Sequence, residues 1–130
     1  MTTPTTTVSA VEVADRLFAA VAAGDVTAVE ALYAPHCIVW HNFDNIGQTV
    51  AENLRTLRWL TRNVSNLSYD ERRCEETASG FLEQHVMRGA DKAGNAIEVP
   101  VCMIGTVVDG KITRIDEYLD SAQIPSLLAP

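Results

Sequence analysis

Asp109-Gly110 separates two long stretches of strand character, residues 96–108 and 111–120. An Asp-Gly pair in that setting signals a type I′ two-residue hairpin, whose backbone twist matches that of the flanking strands. The end of the chain is therefore committed to antiparallel sheet. Residues 67–76 and 81–89 also read as strands, separated by a turn at Ser79-Gly80, and a loop follows at 91–95. Together these segments predict a four-stranded meander.

The first half has a different period. Ser9 and Glu12 form a capping box, in which each side chain satisfies an orphan amide of the first helical turn. Val13, Leu17, Phe18 and Val21 follow at helical spacing, and Gly24 ends the helix. Asp25 caps a second helix carrying Val26, Val29, Leu32 and Tyr33. Pro35 stops it, because the residue before a proline avoids helical geometry. Residues 37–40 predict a short apolar strand and 41–47 a polar loop. Thr49 and Glu52 form a second capping box, and Val50, Leu54, Leu57, Leu60 and Val64 carry a third helix to about Asn63. Residues 121–130 predict a short helix or an apolar strap through Ile124, Leu127 and Leu128. Three helices followed by a meander define an α+β fold. A strongly bent, mostly antiparallel sheet wrapped around a helix makes a cone with an apolar interior, a natural small-molecule site.

At 130 residues the chain is expected to form one domain, spanning 9–130 after a flexible tail at 1–8. The net charge of −7 argues against a nucleic-acid partner, since phosphate binding needs concentrated Lys and Arg. Arg55, Arg58, Arg62, Arg72 and Arg73 read as surface charges. No apolar run approaches the roughly 18 residues that span a bilayer, so no membrane partner is expected. The Thr-rich start lacks the pattern of a secretory signal. Cys37, Cys74 and Cys102 are odd in number and lack metal-ligand spacing, which suggests a reducing, cytoplasmic setting. No nucleotide, flavin or metal motif is present in the sequence, and cofactor-free chemistry is expected.

Candidate site residues come from the strands. Thr113, Ile115, Glu117 and Leu119 share one side of the last strand. A carboxylate among apolar neighbours is costly to ionise, and burial raises its pKa toward neutrality. His85 shares a side with Phe81, Glu83 and Met87, so Glu117 and His85 are the expected acid–base pair and Glu83 the group that orients the imidazole. The phase is open. A two-residue turn pairs Cys102 with Glu117, whereas one bulge would reverse the faces and present Asp116, Tyr118 and Asp120 instead. Asn42 is expected to orient a water or a substrate oxygen. Trp40, Tyr33 and Trp59 are expected to line the cavity, with Met87, Val99, Val101 and Leu119 as its walls. His36 is expected to be exposed. His41 alternates away from Trp40 and Asn42 and should point outside, and a zinc site built from it is not expected.

The order of elements resembles the NTF2-like superfamily, in its SnoaL-like, ketosteroid-isomerase-like and limonene-epoxide-hydrolase-like branches. The resemblance runs from Val11 to Asp120. It is carried by Ala23-Gly24-Asp25, Val39-Trp40-His41-Asn42, and Asp109-Gly110-Lys111-Ile112 leading to Glu117-Tyr118-Leu119-Asp120. It implies the cone fold and a pocket enzyme. Against the epoxide hydrolases, Asn42 matches a water-holding Asn and Glu117 a water-contacting carboxylate. Trp40 stands in place of a Tyr, His85 in place of a second carboxylate, and Glu83 in place of the Arg that links the acids. The expected activity is therefore isomerisation, aldol-type cyclisation or dehydration of a small apolar molecule, with epoxide opening by a water held between Glu117 and Asn42 as one alternative. A binding module without chemistry is the other. A homodimer is expected to cover the open sheet face, assigned to Tyr69 and Val86.

Overall fold

A computed structural model describes residues 8–120 and 122. Helices α1 (Ala10–Ala22), α2 (Val26–Leu32) and α3 (Val50–Asn63) start where the sequence signals them. The Ser9 hydroxyl accepts from the Glu12 amide, the Asp25 carboxylate accepts from Ala28, and Thr49 and Glu52 complete a reciprocal capping box. Val8, assigned above to a tail, packs half-buried against the core. Residues 1–7, and the expected helix or strap of Ile124, Leu127 and Leu128, lie outside the described residues.

Six strands form one sheet: β1 (Tyr33–His41), β2 (Ile46–Gln48), β3 (Ser65–Glu76), β4 (Gly80–Ala90), β5 (Ala96–Val108) and β6 (Lys111–Leu119), in the order β2-β1-β6-β5-β4-β3. All neighbours are antiparallel except β1 and β6, which run parallel. The expected meander is thus β3 to β6, and the N-terminal half adds two strands to it. The two edge strands, β2 and β3, both contact α3. The sheet is therefore strongly curled around the helices without closing on itself.

Three local expectations are corrected. Tyr33 is not the last residue of α2 but the first of β1, in extended geometry (φ −89°, ψ 137°). Pro35 lies within β1, in the stretch between Tyr33 and Ile38 where pairing with β6 lapses, so its missing amide costs no ladder bond. The polar loop contains β2, whose Ile46–Gln48 segment pairs back onto 39–41.

The β5–β6 hairpin contains a bulge. Val107 pairs with Ile112 but Thr106 pairs with Arg114, leaving Thr113 as the extra residue. Downstream, Met103 rather than Cys102 faces Glu117. Ile112 and Ile115 consequently both turn into the core, a spacing that strict alternation from Thr113 does not give. Behind this region Phe81 is fully buried against Gly105 of β5, and a Cβ at Gly105 would meet the Phe81 ring at 2.2 Å. Gly105→Ala should therefore overpack the core and lower unfolding stability by about 1–3 kcal/mol, read as a lower urea midpoint at unchanged slope.

Candidate functional site

Paired strand residues project to the same face, so sheet register determines what meets inside the curl. One row runs from His41 on β1 to Glu117 on β6, Met103 on β5 and Glu83 on β4. The adjacent row sets Leu119 beside Val101 and Val101 beside His85. These side chains border or support a cavity of about 450 Å³, within the usual range of small-molecule sites. Helices α1 and α3 supply its other walls, including Phe18, Leu57 and Trp59.

His85 is held from behind. Its Nδ1 lies 2.8 Å from Glu83 Oε2, and neither side chain is more than 1% exposed. Arg72 clamps the same carboxylate with two bonds, Nε to Oε2 at 2.8 Å and Nη2 to Oε1 at 3.0 Å. Its Nη2 also reaches Asp15 of α1 at 2.8 Å, and its guanidinium lies over the Phe18 ring. Burial alone would raise the Glu83 pKa, but the bonds from His85 and Arg72 outweigh it and hold the carboxyl below its ordinary value. An ionised Glu83 only accepts, so Nδ1 carries the proton and donates. That leaves Nε2 as the basic nitrogen of a residue that lines the cavity. The edges of Phe18 and Tyr69 pack against the imidazole ring and fix its plane.

Glu117 has the opposite environment. Burial raises its pKa above the ordinary 4.5, and the nearby imidazoles of His41 and His85 only partly counter this. Its carboxyl has no hydrogen bond among the described residues, and His41 Nε2 stands off at 3.9 Å. Its side chain keeps 19% of its surface and lines the cavity. Tyr33 and Tyr69 are also pushed to higher pKa, chiefly by burial, and remain neutral phenols. The Tyr33 hydroxyl donates to Asn53 Oδ1 at 2.7 Å, and Asn53 donates on to Gln48, tying β1 to α3 across the cavity floor.

Of the expected site residues, Glu117, His85, Tyr33, Trp59, Met87, Val99, Val101 and Leu119 line the cavity, and Glu83 lies directly behind His85. Trp40 and Asn42 do not. Trp40 points to the other side of the sheet, edge-on to Tyr118, with its indole N–H bonded to Asn45. Asn42 spends its amide on the backbone of Leu119, accepting from its N–H at 3.0 Å and donating to its carbonyl at 3.3 Å. The Asn42 amide is thus directed to the Leu119 backbone, and Asn42 does not line the cavity that Glu117 lines. His41, expected outside, faces in. The reversal follows from β1 alternation: Cys37, Val39 and His41 are buried, so Trp40 and Asn42 must point away. Tyr69, expected on the open face, also turns inward against Phe18 and His85. His36 is exposed, as expected.

Sequence reasoning missed Arg72, His41, Tyr69, Asn53 and Met103. Arg72 reaches Glu83 because β3 carries a bulge opposite His85, with Glu71 at φ 55°. A charged Tyr-Asp-Glu-Arg-Arg run gives little warning of such a kink. Among the described residues no group of three or more His, Cys, Asp or Glu could hold a metal ion, and no helix is long and apolar enough to cross a membrane.

A helix-filled, curled α+β sheet with an acid and an imidazole in its cavity defines a class, and the comparisons identify it. Residues 14–115 match the SnoaL-like domain family, and the chain belongs to that family within the NTF2-like superfamily. A protein from Pseudomonas putida KT2440, provisionally described as a polyketide cyclase, superposes with a TM-score of 0.79 at 20% identity, covering 94% of this chain and 99% of that one. PrhC from Penicillium brasilianum superposes with a TM-score of 0.79 at 16% identity, covering 91% and 84%. A ketosteroid-isomerase-like protein from Catenulispora acidiphila, solved with trimethylamine, gives 0.74 at 16%, covering 90% and 86%. At such identities the likeness is one of fold. No curated protein matches the chain.

The two acids have opposite pH signatures. Glu117 binds its proton more tightly folded than unfolded, so its contribution is full below 4.5 and is lost as pH rises through its raised value. Glu117→Gln should gain stability relative to the parent as pH climbs above 4.5, then level off. Glu83 behaves in the reverse sense: its contribution is present above 4.5 and is lost as pH falls through its lowered value. Glu83→Ala, which strands the His85 N–H and the Arg72 guanidinium, should cost about 3–5 kcal/mol near pH 7. Urea unfolding of parent and variants between pH 3 and 8 reads both effects.

Proposed function

We propose that this protein is a cofactor-independent acid–base enzyme acting on a small, largely apolar carbonyl compound, with isomerase or aldol-type cyclase chemistry. One observation carries the reading: a nitrogen base and a carboxyl whose pKa burial raises share one apolar cavity, and each is tuned by its own surroundings. Membership of the SnoaL-like family and the fold shared with a provisional polyketide cyclase support the same class.

In the proposed cycle His85 Nε2 removes a proton from the carbon next to the substrate carbonyl. The C–H electron pair becomes a carbon–carbon double bond, and the carbonyl π electrons move onto oxygen. Glu117 donates its proton to that oxygen as charge develops, so the product of this step is a neutral enol beside an imidazolium and a carboxylate. In isomerisation the imidazolium returns its proton to a different carbon and Glu117 recovers its own from the enol. In cyclisation the enol carbon instead attacks a second carbonyl, whose oxygen takes the imidazolium proton while Glu117 recovers its own. Glu83 stabilises the imidazolium and keeps the ring in register, and Arg72 holds Glu83 ionised. The largely apolar walls leave few polar groups to hold water that would compete for the same protons.

The test needs no natural substrate. Enones and hydroxy-ketones incubated with the protein in D₂O should exchange carbon-bound protons next to the carbonyl, read by ¹H NMR. Glu117→Gln and His85→Gln should each slow exchange on the order of 10²–10⁴-fold while retaining a folded circular-dichroism spectrum. Compounds that bind without exchanging in the parent protein would make the domain a binding module and end the enzyme reading.

A further inference from the structure

His41 is the strongest group that this chemistry leaves unused. Its side chain is 10% exposed and borders the cavity, and its Nδ1 is buried with no hydrogen-bond partner among the described residues. A proton on Nδ1 would be a buried donor with nothing to bond, a larger penalty than an idle lone pair. The neutral ring therefore carries its proton on Nε2, the nitrogen that faces Glu117. The 3.9 Å between Nε2 and Glu117 Oε1 is too long for a direct bond. It does match the base of a triangle whose apex is one oxygen at about 2.8 Å from each atom, with an angle near 90° at that oxygen.

We infer that His41 and Glu117 form a two-point clamp for a single carbonyl or enol oxygen of a flat, apolar ligand, making His41 a second donor to the oxygen on which charge develops. The inference rests on the cavity reading above and deepens it. Two donors converge on one oxygen in a largely apolar cavity, where their dipoles are less screened than in water. Parallel pairing of β1 with β6 places them side by side, and the Phe43 ring packs on the outer flank of His41, with centroids 5.4 Å apart.

The probes are 2-naphthol, an enol mimic that fits a cavity of this size, and naphthalene, the same body without the oxygen. The ratio of their dissociation constants is measured for the parent, His41→Leu and His41→Gln, whose amide N–H can stand in for Nε2–H. The parent should prefer 2-naphthol, His41→Leu should lose about tenfold of that preference, and His41→Gln should keep most of it. An unchanged preference in His41→Leu overturns the clamp while leaving the cavity reading intact. Failure of both aromatics to bind the parent overturns both. Should His41→Leu not fold, the parent decides. The ¹⁵N resonance of His41 Nε2 must shift with 2-naphthol and not with naphthalene, and equal responses reject the clamp.

Discussion

The fully buried Glu83 carboxylate is the constraint on which the rest of the site depends. An isolated buried charge is too costly to keep, so it must be neutralised or surrounded by donors. Here three side-chain N–H groups from two residues meet its two oxygens, all between 2.8 and 3.0 Å. The arrangement draws on three separate elements. Helix α1 brings Asp15 and Phe18 to Arg72, the β3 bulge aims Arg72, and β4 carries both Glu83 and His85. Once these are in place the tautomer of His85 follows, and with it the side of the ring that offers a lone pair. Such a cluster gains little net stability over an apolar core of equal volume. Its value lies in fixing one imidazole in one orientation at one protonation pattern.

Much of the architecture was legible because it is encoded locally. The Ser9 N-cap and the Thr49–Glu52 capping box fixed two helix starts, and the Asp-Gly turn fixed the last hairpin. The bounds of β5 fell where alternation and loop chemistry put them. The inner faces of β4 and β6 were also readable, since Phe81 and Met87 bracket the Glu83–His85 pair and Ile115 and Leu119 bracket Glu117 at two-residue spacing. What failed was non-local. The parallel β1–β6 pairing joins residues some 75 positions apart and leaves no mark on either strand. In the continuous apolar run Cys-Ile-Val-Trp, period two cannot tell which residues face in. Resemblance to a water-holding motif then favoured Trp40 and Asn42, one residue out of phase. Bulges add a second kind of silence, since neither the extra Thr113 nor the kink at Glu71 carries a Gly signature.

Glu83 and Glu117 occupy the same cross-strand row, separated only by Met103, yet the fold shifts their pKa values in opposite directions. Residue type and backbone geometry are common to both, so the difference comes from what each can bond. Glu83 is supplied with N–H donors and stays charged. Glu117 meets apolar walls and a histidine that stops short of bonding distance, so burial shifts its pKa upward. A single charged carboxylate would anchor a base, and a single neutral one would provide an acid. In the cycle proposed above, one of each on either side of a thioether would supply the base and the acid from a single row. It also explains why the row could not be reversed. Exchanging the two environments would protonate the group behind His85, remove its acceptor, and leave the cavity with a charge it could not solvate.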